Sequence, residues 1–298
     1  MNALKQSLLS LYQAATARRR LREARRLAEE GHAPVCVLFY HRVADTHPND
    51  WTLPTAVFAR QIDWLARRFD FVSLAEAQRR LGRGRSERPA VAITFDDGYA
   101  DNAQTAVPLL LARRVPFTYF VTTRTVRDQG VFPHDAAAGV PLRPNTVTEV
   151  RAMADAGVEI GAHTRTHPDL GASTDPDWLR DEIAGSLDDL QAWTGRRPRS
   201  FAFPYGLPQN MTPAAFDAAI DAGAECVVSA YGAYNVPGQV SETHGPRHVR
   251  RIHGDPEWVR FTNWMTFDPR KLHAVDPIDD DAWLPAPEAV ASEKLAHA

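Results

Sequence analysis

The stretch PAVAITFDDGYADN, residues 89–102, joins an apolar run to two adjacent aspartates and a glycine. The apolar part, residues 90–95, is short and rich in β-branched and aromatic side chains, as is typical of a strand buried on both faces. Asp96 and Asp97 follow it directly, and adjacent carboxylates repel each other unless water or a cation screens them. The stretch therefore predicts a buried strand that ends either at an exposed loop tip or beside a bound cation.

Six further runs of this kind occur along the chain, with amphipathic helical segments between them. They are residues 35–40, 117–121, 158–162, 200–203, 226–230 and 248–252. Short buried strands that alternate with helices indicate an α/β domain with a parallel sheet. We therefore predict an α/β fold, a distorted (β/α)7 barrel, over residues 34–267, with an irregular C-terminal tail over residues 268–298.

The segment before the barrel, residues 1–33, is predicted to be a basic amphipathic helical extension. Leucines recur at helical spacing in its first half, and six arginines lie between residues 18 and 26. Two interpretations stay open: a solvated helix packed on the domain, which we favour, or a helix in peripheral contact with a membrane. No convincing signal peptide or membrane-spanning run is present, so a cytoplasmic or membrane-peripheral location is expected.

Composition narrows the class of partner and the state of the cysteines. The 298 residues carry a formal net charge of −3, which lacks the basic excess typical of nucleic-acid-binding proteins. We therefore predict no nucleic-acid partner. Cys36 and Cys226 each lie inside an apolar run, so we interpret them as buried thiols and not as a disulfide.

Residue types that bind metals follow several of the predicted strands. The residues after the strands are His41 and Arg42, Asp96 and Asp97, His163 and His167, Pro204 to Gly206, Tyr231, and His253. In a parallel barrel the reactive groups gather at the carboxyl ends of the strands. Zinc commonly takes two histidines and one carboxylate, which leaves a position open for water. The pattern predicts such a site at His163 and His167, with one aspartate as third ligand and the other outside the metal shell.

Three motifs in this order, TFDDGYADN, GAHTRTH and FAFPYG, resemble the signature motifs of the polysaccharide deacetylases. These are metal-dependent hydrolases that remove N-acetyl groups from amino sugars. The opening VLFYHRVAD is similar to that of the branch containing the poly-N-acetylglucosamine deacetylases, and the resemblance extends over about residues 35–255. It implies a carbohydrate substrate, an N-acetylated amino sugar that is polymeric or lipid-linked.

The resemblance also implies a role for each matching residue. Asp97, with His163 and His167, would hold a divalent metal, and zinc is the metal that this ligand set usually binds. Asp96 would be the general base that takes a proton from the activated water. The backbone N–H of Tyr205 would help to form the oxyanion hole.

The sequence departs from the family pattern at two points. The common third motif has an arginine that orients the base, and Ala202 stands at that position. We expect Arg250 or Arg251 to replace it, unless the basicity of the aspartate is tuned in another way. The common Leu-x-His motif that supplies a general acid has no clean copy, and His253 is the candidate acid.

Five further residues are predicted to contact the substrate, because they follow predicted strands or lie on loops near them: His41, His134, Pro204, Tyr231 and Tyr234. For each a structural role is the alternative. Alternative functions also stay open. They are a related deformylase-like or imidase-like C–N hydrolase, an esterase acting on O-acetyl groups, and an inactive carbohydrate-binding homologue.

Overall fold

Each predicted run becomes a strand, the seventh one in two pieces, and helices separate most of them. The computed structural model describes residues 3–239 and 245–272. The strands are β1 (Val35–Tyr40), β2 (Arg42–Val43), β3 (Thr52–Leu53), β4 (Asp70–Phe71), β5 (Ala90–Phe95), β6 (Phe117–Val121), β7 (Glu159–Ala162), β8 (Ser200–Ala202), β9 (Cys226–Val228), β10 (His248–Val249) and β11 (Ile252–His253).

The helices lie mainly between successive strands of the sheet. They are α1 (Ala3–Glu29), α2 (Thr55–Ala66), α3 (Leu74–Gly82), α4 (Asp101–Gln104), α5 (Ala106–Ala112), α6 (Thr123–Asp128), α7 (Pro133–Ala137), α8 (Val147–Asp155), α9 (Pro176–Glu182), α10 (Ala184–Thr194), α11 (Pro213–Asp221) and α12 (Trp258–Met265). Two short 3-10 turns occupy Leu170–Ala172 and Pro208–Asn210.

The main sheet is parallel throughout, in the order β10-β9-β8-β7-β6-β5-β1-β11, with β4 paired beside β5. Strands β2 and β3 form a separate pair. The register aligns Tyr40 of β1 with Phe95 of β5, so these two strands end side by side. Because parallel strands finish at the same end of the sheet, the residues that follow them emerge together. We call this end the mouth of the barrel.

The seventh predicted strand closes the barrel. Strand β10 pairs with β9 and strand β11 pairs with β1, and only Arg250 and Arg251 separate the two pieces. The two ends of the sheet path are therefore joined by one short, broken strand. This confirms the predicted α/β fold and its distorted barrel of seven strand positions.

The two faces of the sheet form two clusters of buried side chains. The inner cluster contains alternate residues of β1 and β5 with Phe120 and Ala202, and α3 closes it at the base with Leu74, Ala77 and Leu81. The outer cluster lies between the sheet and the surrounding helices. This alternation is that of strands whose successive side chains point to opposite faces.

Helix α1 packs on the domain beside α12. Arg20 is buried and donates to both the carbonyl oxygen and Oδ1 of Asn263, each at 2.8 Å. Gln6 donates to Glu257 at 2.7 Å. No helix in the described residues is long and apolar enough to cross a membrane. Contact of α1 with a membrane surface stays a prediction.

Two smaller predictions concern the cysteines and the tail. Cys36 and Cys226 are both buried and unpaired, which confirms that they are free thiols. Of the predicted tail, the first five residues are described, and Asp268 and Leu272 are buried there. The rest of the tail, residues 273–298, lies outside the described residues.

Candidate active site

Strand alternation separates the two adjacent aspartates. The alanines of β5 face the barrel interior, so a period of two directs Thr94 and Asp96 to the same side. The backbone then turns at Asp97, whose φ of +73° lies in the left-handed region that non-glycine residues rarely adopt. Asp96 therefore stays inside the barrel, and Asp97 is directed to the mouth.

Asp97 meets two histidines at the mouth, and the three ligand atoms lie within 4.8 Å of one another. Nε2 of His163 is 3.4 Å from Oδ1 of Asp97, and Nε2 of His167 is 3.3 Å from the same oxygen. Ligand atoms on one tetrahedral zinc ion are roughly 3.3–3.5 Å apart, given metal–ligand bonds of about 2.0–2.2 Å. The spacing therefore fits a single divalent ion.

The electrostatics of Asp97 fit the same ion. Its Oδ1 atom is buried and has no hydrogen-bond partner within the described ranges. Burial by itself would raise the pKa of Asp97, but the imidazoles of His163 and His167 hold that pKa well below its usual range. A buried, ionised oxygen without a partner is costly, and a cation bound between the three side chains would satisfy it.

Backbone contacts orient the first histidine. Nδ1 of His163 is 2.8 Å from the carbonyl oxygen of Ala202. Because a carbonyl oxygen only accepts, Nδ1 carries a proton, and Nε2, which lies on the side of Asp97, is the ring atom available to a metal. The residue that lacks the expected arginine thus contributes through its backbone.

The two histidines are joined by a tight loop and not by a helix. Thr164 Oγ1 accepts the N–H of His167 at 3.0 Å, and both residues have positive φ, +62° and +61°. Glu182 of α9 is buried and accepts the N–H groups of Arg165 and Thr166 at 3.1 and 2.9 Å. Glu182 was not predicted, because nothing local in the sequence distinguishes it from a surface acid on a helix.

Arg251 holds Asp96 in a bidentate ion pair. Its Nη1 and Nη2 atoms donate to the two carboxylate oxygens at 2.7 and 2.8 Å. The same guanidinium donates to Thr94 Oγ1 at 3.1 Å and to the Ser229 carbonyl oxygen at 2.6 Å. Burial alone would raise the pKa of Asp96, but the charge of Arg251 outweighs it and lowers that pKa. Of the two expected replacements for the missing arginine, Arg251 therefore meets the aspartate.

The small side chain of Ala202 is consistent with the Arg251 guanidinium lying inside the barrel. Ala202 faces the inner cluster together with Phe120. The Arg251 guanidinium lies in the same interior, 5.6 Å from the ring centre of Phe120 and 4.9 Å from that of Phe39. The arginine therefore enters from the broken seventh strand, and the position on β8 stays small.

An aromatic group lines another side of the mouth. The ring of Trp51 lies 4.7 Å from that of His41 and 6.2 Å from that of His253, between ring centres. Trp51 is 44% exposed, and it was not predicted to belong to the site although it lies in the loop after the first strand. Burial lowers the pKa of His41, and it lowers the pKa of His253 to about 4. This pKa favours the neutral form of His253 at pH 7, which disfavours its predicted role as a charged general acid.

The lowered pKa of His253 makes stability depend on pH. Because its ordinary pKa of 6.5 falls to about 4 on folding, the unfolded chain binds the proton more tightly. The free energy of unfolding is unaffected above pH 6.5 and falls as pH drops through this window, by about 3 kcal/mol in full. We expect His253→Gln to reduce the loss of stability between pH 7 and about pH 4.5 by about 2 kcal/mol in urea titrations. The exposed His47→Gln variant is the control, and an unchanged loss in His253→Gln would contradict the prediction.

The turn after β8 lies beside the histidines. Tyr205 and Gly206 have φ values of +59° and +56°, and a Cβ atom at position 206 would collide with the backbone nitrogen of Ala230. The ring of Tyr205 is centred 5.1 Å from that of His167. Among the described residues, the Tyr205 N–H donates to no backbone acceptor, while Pro204 accepts from Gly206 at 2.6 Å. The turn is thus adjacent to the ligand cluster, and the oxyanion role stays a prediction.

His134 lies at the rim of the barrel mouth, and the ring of Phe132 separates it from His167 of the ligand cluster. It stacks on Phe132 with ring centres 5.5 Å apart, and Phe132 lies 5.9 Å from the ring of His167. Nε2 of His134 is 2.9 Å from the hydroxyl of Tyr99. The side chain is 39% exposed, so the predicted contact with substrate is sterically open and stays a prediction.

The two tyrosines after β9 have different surroundings. Tyr234 is 2% exposed, donates to the Trp264 carbonyl oxygen at 2.6 Å and accepts the N–H of Asp268 at 2.8 Å. Its predicted stacking on a sugar is wrong, because the loop folds back and places the ring in the core. Tyr231 is partly buried beside His248, at 5.9 Å between ring centres, and its substrate contact stays a prediction.

Comparison with known proteins shows which family the chain resembles. A sequence profile of the polysaccharide deacetylases matches residues 83–227, just under half of the chain. Over these residues the chain matches the polysaccharide deacetylase family. The match includes all three motifs of the site, while Arg251 and the group formed by His41, Trp51 and His253 lie outside it.

Individual relatives in this family differ in how much of the chain they share. The chain is 25% identical to the putative polysaccharide deacetylase YxkH of Bacillus subtilis, over 76% of this chain and 74% of that protein. It is 31% identical to the chitooligosaccharide deacetylase of Sinorhizobium fredii, over 43% of this chain and 53% of that protein. Of another curated relative it spans 5% of the length.

The fold is similar to that of a solved structure. IcaB from Ammonifex degensii superposes with a TM-score of 0.64 and 24% identity, over 78% of this chain and 97% of that chain. This likeness extends over a larger share of the chain than the matched profile does. It supports the α/β distorted barrel as the fold of this chain.

Proposed function

We propose that this chain is a metal-dependent hydrolase that removes N-acetyl groups from an amino-sugar-containing glycan or glycan precursor. The observation that carries the proposal is the convergence of Asp97, His163 and His167 at the end of the strand that also presents Asp96. The match of residues 83–227 to the polysaccharide deacetylases supports the reaction class. The name of one relative, a chitooligosaccharide deacetylase, supports an N-acetylated amino sugar as the substrate class.

The ligand set favours a divalent cation, with Zn²⁺ as the best match. Two imidazoles and one carboxylate are the donors of many zinc sites with an open coordination position. When bound, such an ion supplies a Lewis acid that activates water and polarises the amide carbonyl. The protein contributes the orientation of Asp97 and of the His163 tautomer, both described above.

Asp96 is the base in this proposal. Arg251 occupies one lone-pair direction on each carboxylate oxygen, and each oxygen has a second one free to accept a proton from the attacking water. The ion pair keeps Asp96 ionised and in one orientation inside a buried site. The leaving amine also needs a proton, and we assign its delivery to Asp96 as well, because His253 is neutral at pH 7.

The mouth offers contacts for the tetrahedral oxygen and for the sugar. The Tyr205 N–H, at a turn that glycine at 206 keeps tight, is the candidate donor to the developing oxyanion. Trp51 presents an exposed aromatic face beside His41. An aromatic ring at this place suits the apolar face of a pyranose, and the buried Nδ1 of His41 has no partner in the described part of the chain.

Acetate release from N-acetylated chitooligosaccharides by the zinc-loaded protein tests the proposal. Asp96→Asn is expected to reduce the rate by about 10²- to 10⁴-fold, because it removes the proton acceptor. The variant keeps Asp97 and both histidines, so it is expected to retain zinc. Asp217→Asn, a matched change at an exposed position of α11, is expected to leave the rate unchanged.

The same assay distinguishes the competing functions. Release of formate from N-formyl amides, ring opening of cyclic imides, or acetate release from O-acetyl sugars alone would favour a related hydrolase. Equal acetate release by wild type and Asp96→Asn would refute the proposed mechanism. Binding of chitooligosaccharides without any release would indicate an inactive carbohydrate-binding homologue.

A further inference from the structure

Helix α1 exposes an apolar stripe that none of residues 3–239 and 245–272 covers. Leu4, Leu8 and Leu11, called here the leucine stripe, are spaced so that they lie on one side of the helix. Their exposed fractions are 69%, 57% and 67%, which are high for leucine in a helix that packs on a domain. The other side of the helix makes the contacts with α12, through Gln6 and Arg20. The leucine stripe therefore faces away from the protein.

In the second half of α1, the side that carries the leucine stripe is positively charged. Arg18, Arg19, Arg22 and Arg25, called here the arginine cluster, fall within about 60° of the leucine stripe at 100° per residue. All four are exposed, and none forms an ion pair within residues 3–239 and 245–272. By contrast, Arg26 is paired with Glu23 and Glu30 at 2.7 Å each. One outward side of α1 thus combines exposed leucines with exposed arginines that lack an acidic partner.

We propose that this side of α1 docks the protein on the surface of an anionic lipid bilayer. A helix with an apolar stripe and a basic cluster on one side lies in the interfacial plane, with leucines among the acyl chains and arginines at the headgroup phosphates. The charges of the cluster complement anionic lipids, although the net charge of the whole chain is −3. Its 27 residues give the helix a length of about 40 Å, enough to present both halves to one surface.

The leucine stripe lies in the half of α1 that is near the mouth of the barrel. Gln6 contacts Glu257, which follows the end of β11 by four residues, so the first half of α1 lies at the mouth. The second half runs toward the base, where the chain enters β1 at Val35. Docking through the leucine stripe therefore brings the mouth close to the lipid. Resting on the proposed function, this favours an amino-sugar glycan that is presented at a membrane surface.

Vesicle co-sedimentation of the full chain tests the docking independently of catalysis. We expect binding to vesicles of phosphatidylcholine mixed with phosphatidylglycerol, weaker binding at high salt, and little binding to phosphatidylcholine alone. Changing Leu4, Leu8 and Leu11 together to Ser is expected to weaken binding at least roughly tenfold. Changing the arginine cluster to Gln is expected to weaken it several-hundred-fold, since each arginine contributes about fivefold.

The controls separate docking from general charge and from self-association. A quadruple variant at Arg67, Arg83, Arg114 and Arg196, all exposed and changed to Gln, alters the net charge equally and is expected to keep binding. Loss of binding in that variant, or no binding of wild type to anionic vesicles, would overturn the proposal. A dimer in solution that the leucine variant abolishes would also overturn it, in favour of a second copy as occupant. All variants are expected to deacetylate a soluble chitooligosaccharide at the wild-type rate, so failure of docking and failure of the proposed function are distinguishable.

Discussion

His167→Asn is expected to abolish zinc binding and to reduce acetate release to background. The variant removes one of two imidazoles whose Nε2 atoms lie 3.3–3.4 Å from Asp97 Oδ1. Asparagine is chosen because position 167 has φ of +61°, and asparagine tolerates the left-handed region better than most residues. The loop should therefore keep its conformation, and the loss should come from the missing ligand.

Metal-dependent stability provides a readout besides activity. A ligand that binds only the folded state adds about 2.7 kcal/mol at a concentration of 100 times its Kd. We expect zinc to raise the melting temperature of the metal-stripped wild type and to leave that of His167→Asn unchanged. The exposed His47→Asn variant is the matched control, because position 47 also has a positive φ of +47°, and it should respond like wild type. Equal zinc stoichiometry in wild type and His167→Asn would refute the assignment of this ligand.

Arg251→Met is expected to cost about 3–5 kcal/mol in the free energy of unfolding, because it leaves the buried carboxylate of Asp96 without its counter-charge. The two side chains are 0% and 3% exposed, so water cannot replace the lost partner. Urea titration measures the loss. The rate of acetate release is expected to fall by about 10²-fold or more, since an unpaired buried carboxylate takes up a proton and no longer acts as a base.

A double variant separates this electrostatic cause from lost packing. Arg251→Met combined with Asp96→Asn removes both charges, and we expect it to be more stable than Arg251→Met alone. Arg250→Met is the neighbouring control and is expected to change stability by less than about 1 kcal/mol. A double variant no more stable than the single one would show that the guanidinium acts through packing against Phe39 and Phe120, and not through charge.

Local patterns in the sequence predicted the strands and the ligand cluster. Apolar runs such as residues 90–95 are recognisable because burial on both faces leaves few polar positions in the strand. The pairing of two aspartates with a His-x3-His loop indicated a metal site, because few other arrangements tolerate those groups together. The choice between Asp96 and Asp97 as ligand came from the resemblance alone, although the period of two along β5 already directs them to opposite sides.

The partners of several side chains depended on contacts between distant segments. The sequence left Arg250 and Arg251 as equal candidates, and the break between β10 and β11 turns only Arg251 into the barrel. Tyr234 was misplaced because an antiparallel bridge between Val35 and Asn235 draws its loop back over the core. Glu182 and Trp51 were missed, since each acts on residues far away in the chain.

The sequence by itself determined the seven strands, the end of the sheet at which reactive groups collect, and the identity of the metal-ligand types there. Those features follow from the local spacing of residues, which can be read directly from the sequence. Only the tertiary structure decided that Arg251 pairs with Asp96 where Ala202 lacks the expected arginine, that burial lowers the pKa of His253, and that no described residue covers the leucine stripe of α1. Each of these depends on which distant groups surround a side chain, and burial and charge are set by those neighbours.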